Sequence, residues 1–203
     1  MQVKKEEVRR EILRIAKNEF IEKEFKGTSM RDIAKKAGVS LSNIYNYFRN
    51  KDEIYVQILT PLLQAIDKTM EEHNGDENIT TDIFLSEEYQ KQQIHLFTQL
   101  IEEYRVEFRM LLCHSHGSSL QNYRERFTDA QTRMGVEYFQ KLKEKYPQIH
   151  TDISEFFLHT TSSWFLTSVG EIVTHELSHD EIVSFVAEYV AFCTAGWKRL
   201  LKV

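Results

Sequence analysis

Residues 28–51 read TSMRDIAKKAGVSLSNIYNYFRNK, and the reading of this stretch decides the fold. Thr28 and Ser29 offer hydroxyls to the free N–H groups of a helix start, and Ser29-x-x-Asp32 approximates a capping box. Met30, Ile33, Ala34 and Ala37 then fall on one face at helical spacing. Gly38 follows the last periodic residue, where a left-handed backbone ends a helix without a Cβ clash. Val39 fills the corner, and Ser40 caps a second helix that turns Ile44 and Phe48 inward. The small Ala34 and Ala37 permit a close, steep crossing. This is the layout of a helix-turn-helix, whose second helix lies in the DNA major groove.

The outward positions of the second helix are Leu41, Ser42, Asn43, Tyr45, Asn46 and Tyr47. They are mostly hydrogen-bonding or aromatic, and none is charged. Asparagine can read an adenine edge with two bonds, and hydroxyls serve bases or phosphates. Arg31 near the start of the first helix and Lys51 beyond the second suit phosphate contacts. An ordinary helical hairpin with a polar face shares this geometry, so the pattern alone leaves both readings open.

The run RDIAKKAGVS-x-S-x-IYNYFRNK resembles the signature of the TetR (tetracycline repressor) family of bacterial transcriptional regulators. The resemblance covers the first quarter to third of the chain. The family usually has Gly, Ala or Thr where Ser42 stands and often His where Asn46 stands, so sequence preference on the reading face is open to change. The resemblance implies an all-α protein: a three-helix head carrying the motif, followed by a helical bundle for ligand and partner. By motif position it implies DNA contacts from Arg31, Ser42, Asn43, Tyr45, Tyr47 and Lys51. It also implies a homodimer on a double-stranded operator, responsive to a small-molecule effector, and no cofactor.

Charge is distributed accordingly. Residues 1–60 carry 13 Lys+Arg against 9 Asp+Glu, a balance of +4. The remaining 26 − 13 = 13 basic and 31 − 9 = 22 acidic residues leave −9. A basic head on an acidic remainder suits a chain that meets phosphate at one end only. Cys113 and Cys193 are too few for a disulfide framework or a four-thiolate zinc site and suit a reducing compartment. The charged start MQVKKEEVRREILR is no signal peptide, and no run approaches the roughly 20 apolar residues of a membrane span. The expected location is the cytoplasm.

Along the chain, Val8, Ile12, Ile15, Ala16 and Phe20 mark an amphipathic first helix that ends near Phe25 and Gly27. Asn50 with Glu53 caps a long helix carrying Ile54, Ile58, Leu62, Ile66 and Met70, with Pro61 inside it as an expected bend. The expected division is 1–52 for the DNA-binding head and 53–203 for the rest, joined through this helix rather than a flexible linker. Asn74-Gly75 reads as its stop. A helical pattern resumes from Ser86 to Cys113, another runs to Lys145, and two more cover roughly 152–176 and 180–201. Phe97, Tyr104, Phe108, Tyr123, Phe127 and Trp164 are candidate ligand-lining aromatics, with plain core packing as the alternative.

The last two helices contain TTSSWFLTSVG (160–170) and AEYVAFCTAGW (187–197). Ala187, Ala191, Thr194 and Ala195 form a small-residue stripe that permits close helix approach, and with Trp164 they are the candidate dimer-contact residues. Each helix is apolar over more than one face, as expected of a dimer seam. An enzymatic reading would rest on Cys113, His114, His116, His159, His175 and His179, but their spacing offers no HExxH-type metal pair. Neither a Gly-rich phosphate loop nor a nucleophile elbow occurs. The sequence is therefore read as non-enzymatic and metal-free.

Overall fold

The structure is a computed structural model that describes residues 2–73, 75 and 78–203. Ten helices occur among the described residues, and no strand does. By internal contacts the chain forms two compact units: Met1–Gln64 with Val106–Tyr123, and Ala65–Arg105 with Arg124–Val203.

The first unit begins with α1 (Gln2–Gly27), which buries Ile12, Ala16 and Phe20 completely. Its regular backbone breaks at Glu24, with φ 57° and ψ 176°. A non-glycine residue held there costs of order 1–3 kcal/mol. The kink turns Phe25 into the core, where its ring lies 5.9 Å from Phe20 and 5.1 Å from Tyr55. The Phe25 amide also donates to the His114 carbonyl at 3.0 Å. Thus Glu24, rather than Gly27, supplies the left-handed φ at the end of this helix.

α2 (Met30–Lys36) and α3 (Leu41–Ile44) follow, burying Ile33, Ala34 and Ile44. The turn between them satisfies two of the last carbonyls of α2: Gly38 (φ 67°) donates to the Lys35 carbonyl and Val39 to that of Ala34. That pair of bonds is a Schellman closure, which requires the left-handed residue at Gly38. Regular α-helix in α3 stops at Ile44, although Phe48 still bonds back to the Ile44 carbonyl and is buried. The second helix of the motif is shorter than its apolar spacing suggests.

α4 (Lys51–His73) runs through Pro61 as one helix, so the proline does not interrupt it. The expected stop at Asn74 lies outside the described residues. The compact units divide inside α4, after Gln64. The reason is packing: Ile54, Tyr55, Leu59 and Leu62 are fully buried in its first part, and Tyr55 donates its hydroxyl to the Met110 carbonyl at 2.7 Å.

The stretch expected as one helix from Ser86 to Cys113 is two. α6 (Glu87–Glu103), which follows the short α5 (Asp82–Leu85), ends at Tyr104, whose φ −113° and ψ 24° leave the helical region. α7 (Arg105–Cys113) then belongs with the first unit, where Phe108, Met110 and Leu111 are buried and Glu107 pairs with Lys17 at 2.5 Å. α4 is accordingly not the sole connection between the units.

The second unit is completed by α8 (Tyr123–Lys145), α9 (Glu155–Thr174) and α10 (His179–Leu201). Phe84, Phe139, Leu142, Ile149, Leu158 and Leu201 form one of its apolar clusters. Gly170 on α9 admits the Arg124 guanidinium, since an added Cβ would lie 2.6 Å from its Nη2. Ser178 opens α10 with a complete capping box to Glu181.

Candidate functional site

Two regions carry the residues singled out from sequence. In the first unit, Ser29 caps α2 by accepting from the Asp32 amide at 3.1 Å, and its hydroxyl donates to the Asp32 carboxylate at 2.7 Å. That second bond replaces the backbone half of a capping box and holds the Asp32 carboxyl below its usual range. Thr28 does not cap α2. It is buried and donates to the Glu19 and Glu24 carbonyls at 3.1 and 2.8 Å, fastening the kinked end of α1.

Ser40 caps α3 through the Asn43 amide at 3.1 Å, and its hydroxyl lies 3.0 Å from that of Ser42. The Asn46 amide group donates to the Asn43 side-chain oxygen at 3.2 Å. Arg31, Leu41, Ser42, Tyr45 and Asn46 are exposed, while Asn43 and Tyr47 are half-buried. With Tyr45 51% exposed and Leu41 38%, this turn presents large side chains to solvent. Lys5 approaches the Tyr47 ring at 6.0 Å and Arg9 the Phe48 ring at 5.4 Å, so α1 adds cations beside the motif. Sequence reasoning did not assign those two; their only signal was the basic count of α1.

Lys51 has a different setting from the one expected for a simple phosphate contact. Its Nζ donates to the Phe25 and Thr28 carbonyls at 2.7 and 2.8 Å and lies 4.2 Å from the Phe25 ring centre. Burial draws its pKa below the usual lysine value. Two of its three donors are therefore spent on the α1–α2 junction. Glu19, completely buried, accepts from Lys36 and from Lys23, the latter at 2.9 Å. The Lys36 hydrogen bond is the main reason its carboxyl titrates below the usual range.

In the second unit a cavity of about 350 Å³ lies among α6, α8, α9, α10 and the end of α4. Of the candidate ligand-lining aromatics, Phe97, Phe127 and Trp164 line it. Tyr104, Phe108 and Tyr123 do not. Tyr104 closes the C-terminus of α6, and Phe108 and Tyr123 belong to the first unit. The break at Tyr104 separates Phe108 from Phe97, and Tyr123 stands at the first position of α8, outside the part of that helix that lines the cavity. Residues that sequence reasoning did not bring to the cavity include Gln90, Gln93, Gln131, Tyr138, Tyr189 and Trp197. Glutamines on helices look like surface residues in sequence, which hid the polar part of the lining.

The proposed seam is divided between two surroundings. Ala191 and Ala195 are exposed, Ala187 and Thr194 are half-buried, and Thr194 lines the cavity. Trp164, 40% exposed, packs its ring 4.8 Å from Tyr189 and 5.6 Å from Phe192. Phe156 and Phe192 stand 79% and 69% exposed on the same two helices. Among the described residues no cluster of three or more His, Cys, Asp or Glu is arranged to hold a metal. His179 instead bonds Glu102 at 2.8 Å, which raises its pKa, and Ser178 starts a helix between His175 and His179. No helix among the described residues is long and apolar enough to cross a membrane.

Comparison with known proteins bears on the first unit most directly. Residues 12–58 match the family model described as bacterial regulatory proteins, tetR family. An uncharacterised HTH-type transcriptional regulator of Bacillus subtilis (strain 168), YhgD, is 35% identical over 85 residues, 39% of this chain and 44% of that one. The alignment thus spans less than half of the relative's length. Among solved structures, a protein from Syntrophomonas wolfei assigned to the TetR family superposes with TM-score 0.62 at 19% identity. That match covers 94% of this chain and 96% of the other. NalD, the secondary repressor of the MexAB-OprM multidrug efflux pump in Pseudomonas aeruginosa, gives 0.61 at 19% identity, covering 92% and 95%. At such identities the likeness is one of fold.

Proposed function

We propose that the chain is a DNA-binding transcriptional regulator of the TetR type rather than an enzyme, a repressor acting as a homodimer on a palindromic operator, a reading supported by the match of residues 12–58 to the tetR-family model. In this reading a small molecule bound in the cavity of the second unit releases it from DNA. The observation that carries the proposal is the α2–turn–α3 motif, closed by Gly38 and capped by Ser40, with uncharged hydrogen-bonding groups exposed around it.

Within that motif we assign roles by chemistry. Arg31 binds phosphate, Ser42, Asn43, Tyr45 and Asn46 face base edges, and Leu41 and Tyr47 supply apolar and aromatic contact. Lys51 keeps one donor for phosphate and spends the others fixing the head. Dimerisation through α9 and α10 is supported by the exposed Phe156 and Phe192 beside Ala191 and Ala195, an apolar surface flanking small residues. A two-fold pair would hold two reading turns on half-sites one helical turn of DNA apart, or a multiple of it.

A ligand changes operator affinity only by favouring one conformation over another. The chain passes between the two compact units at 64–65, 105–106 and 123–124. The last two crossings directly adjoin α6 and α8, both of which line the cavity. These are the points through which ligand occupancy would reach the head. The test is selection of a binding site from random duplexes, followed by titration at several salt concentrations. A palindromic site bound far more tightly than random DNA, with affinity falling steeply with salt, is the expected result. Equal affinity for the selected and random duplexes at every salt concentration would refute it.

A further inference from the structure

We infer that the cavity of the second unit takes an uncharged, largely aromatic small molecule bearing a hydroxyl or amide group. This rests on reading the cavity as the effector site and goes on to name the chemistry of the effector. Nearly half of the lining residues are aromatic, and none of them is Asp, Glu, Lys, Arg or His. An ion entering such a space loses its hydration and meets no opposite charge, a penalty that neutral molecules escape.

The titratable groups present keep the cavity neutral. Burial raises the pKa values of Tyr89, Tyr138, Tyr189 and Cys193 above their ordinary ranges, so none supplies a negative charge near neutrality. Besides the tyrosines and Cys193, the polar lining is amide and hydroxyl: Gln90, Gln93, Gln131, Thr161, Ser162 and Thr194. Gln93 adds a specific demand. Its side-chain oxygen is buried without a hydrogen-bond partner. An unmet buried acceptor costs about 1–3 kcal/mol, and turning the Gln93 amide toward the cavity it lines would let a ligand O–H or N–H meet it. The aromatic walls offer faces at several angles, with Phe97–Phe165 centroids 5.6 Å apart and Phe139–Trp197 5.4 Å apart. Flat rings pack well between such surfaces. A volume of about 350 Å³ matches the lower range for small-molecule sites.

Three probes of one shape separate the possibilities: biphenyl-4-methanol, biphenyl-4-carboxylate and biphenyl-4-methyl-trimethylammonium, titrated calorimetrically into the full-length protein near neutral pH. Both tryptophans of the chain, Trp164 and Trp197, line the cavity, so emission excited at 295 nm reports where the probe binds. The alcohol is expected to bind about tenfold or more tightly than either ion and to shift that emission. Gln93→Leu should weaken the alcohol several-fold while leaving unsubstituted biphenyl unchanged or tighter. Gly135→Met should weaken all neutral probes, since its Cβ would sit at an ordinary 3.6 Å from Leu158 and the rest fills the cavity.

An ion binding as tightly as the alcohol, or no probe binding below about 0.5 mM, overturns the inference. So does an alcohol affinity indifferent to Gly135→Met. Operator binding is measured in parallel on the selected duplex. An alcohol that binds as expected yet leaves operator affinity unchanged upholds the ligand chemistry and refutes the effector reading instead.

Discussion

The reading turn of the first unit and the cavity of the second are built on opposite plans. Around α2 and α3 the caps and the turn are local: Ser29, Gly38 and Ser40 act within five residues of their partners, while Lys36 and Lys51 tie the motif back to α1. The cavity has no local device. Its wall is assembled from helices more than 100 residues apart in sequence, and its chemistry appears only when they pack. A recognition surface that must hold a fixed register is over-determined locally. The cavity is left to long-range packing.

Breaking the cooperation between two reading turns should have the largest effect. Ala191→Glu with Ala195→Glu puts two carboxylates into the proposed seam, where desolvation opposes association. Light scattering should then show a monomer, and operator affinity should fall by about 100-fold or more, because each half-site is bound alone. A persistent dimer would place the seam elsewhere.

The next effect separates the two lysine roles. Lys51→Met should lower thermal stability by about 1–3 kcal/mol, because the Phe25 and Thr28 carbonyls lose a charged donor. It should weaken DNA binding as well. Arg31→Ala should leave the melting transition alone and reduce the slope of log affinity against log salt by about 1. Unchanged melting in Lys51→Met would return that residue to a purely phosphate-binding role.

Sequence readout is a smaller term. Asn43→Ala should relax preference at particular base pairs by about 1–3 kcal/mol if it makes a bidentate contact. It also frees the Asn46 amide from its 3.2 Å bond, so a double substitution should fall short of additivity. Identical selected motifs for the variant and the parent would remove both from base reading.

The smallest expected effect is a pH dependence confined to the first unit. The Glu19 carboxyl is depressed by its lysine partners, so its stabilising contribution is complete above the unfolded carboxylate pKa of about 4.3. That contribution disappears as pH falls through the lower folded value. Glu19→Gln should therefore cost stability at pH 7 and progressively less below pH 4. A cost that stayed constant across that range would show that Glu19 acts by packing alone.

The chain of 203 residues settled the motif by itself, because caps, a left-handed glycine and 3.6-residue periodicity are short-range properties. The same locality made a last helix over roughly 180–201 readable, and α10 runs His179–Leu201. Tertiary packing decided what periodicity cannot. It placed Phe108 with the head and Phe97 on the cavity, although eleven residues at helical spacing separate them, because the helix breaks at Tyr104. It turned Lys51 from solvent toward two backbone carbonyls, and it drew glutamines that look like surface residues into an aromatic wall. Periodicity tells which side of a helix is apolar; only the neighbouring helices decide whether that side meets a core, a partner or an open space.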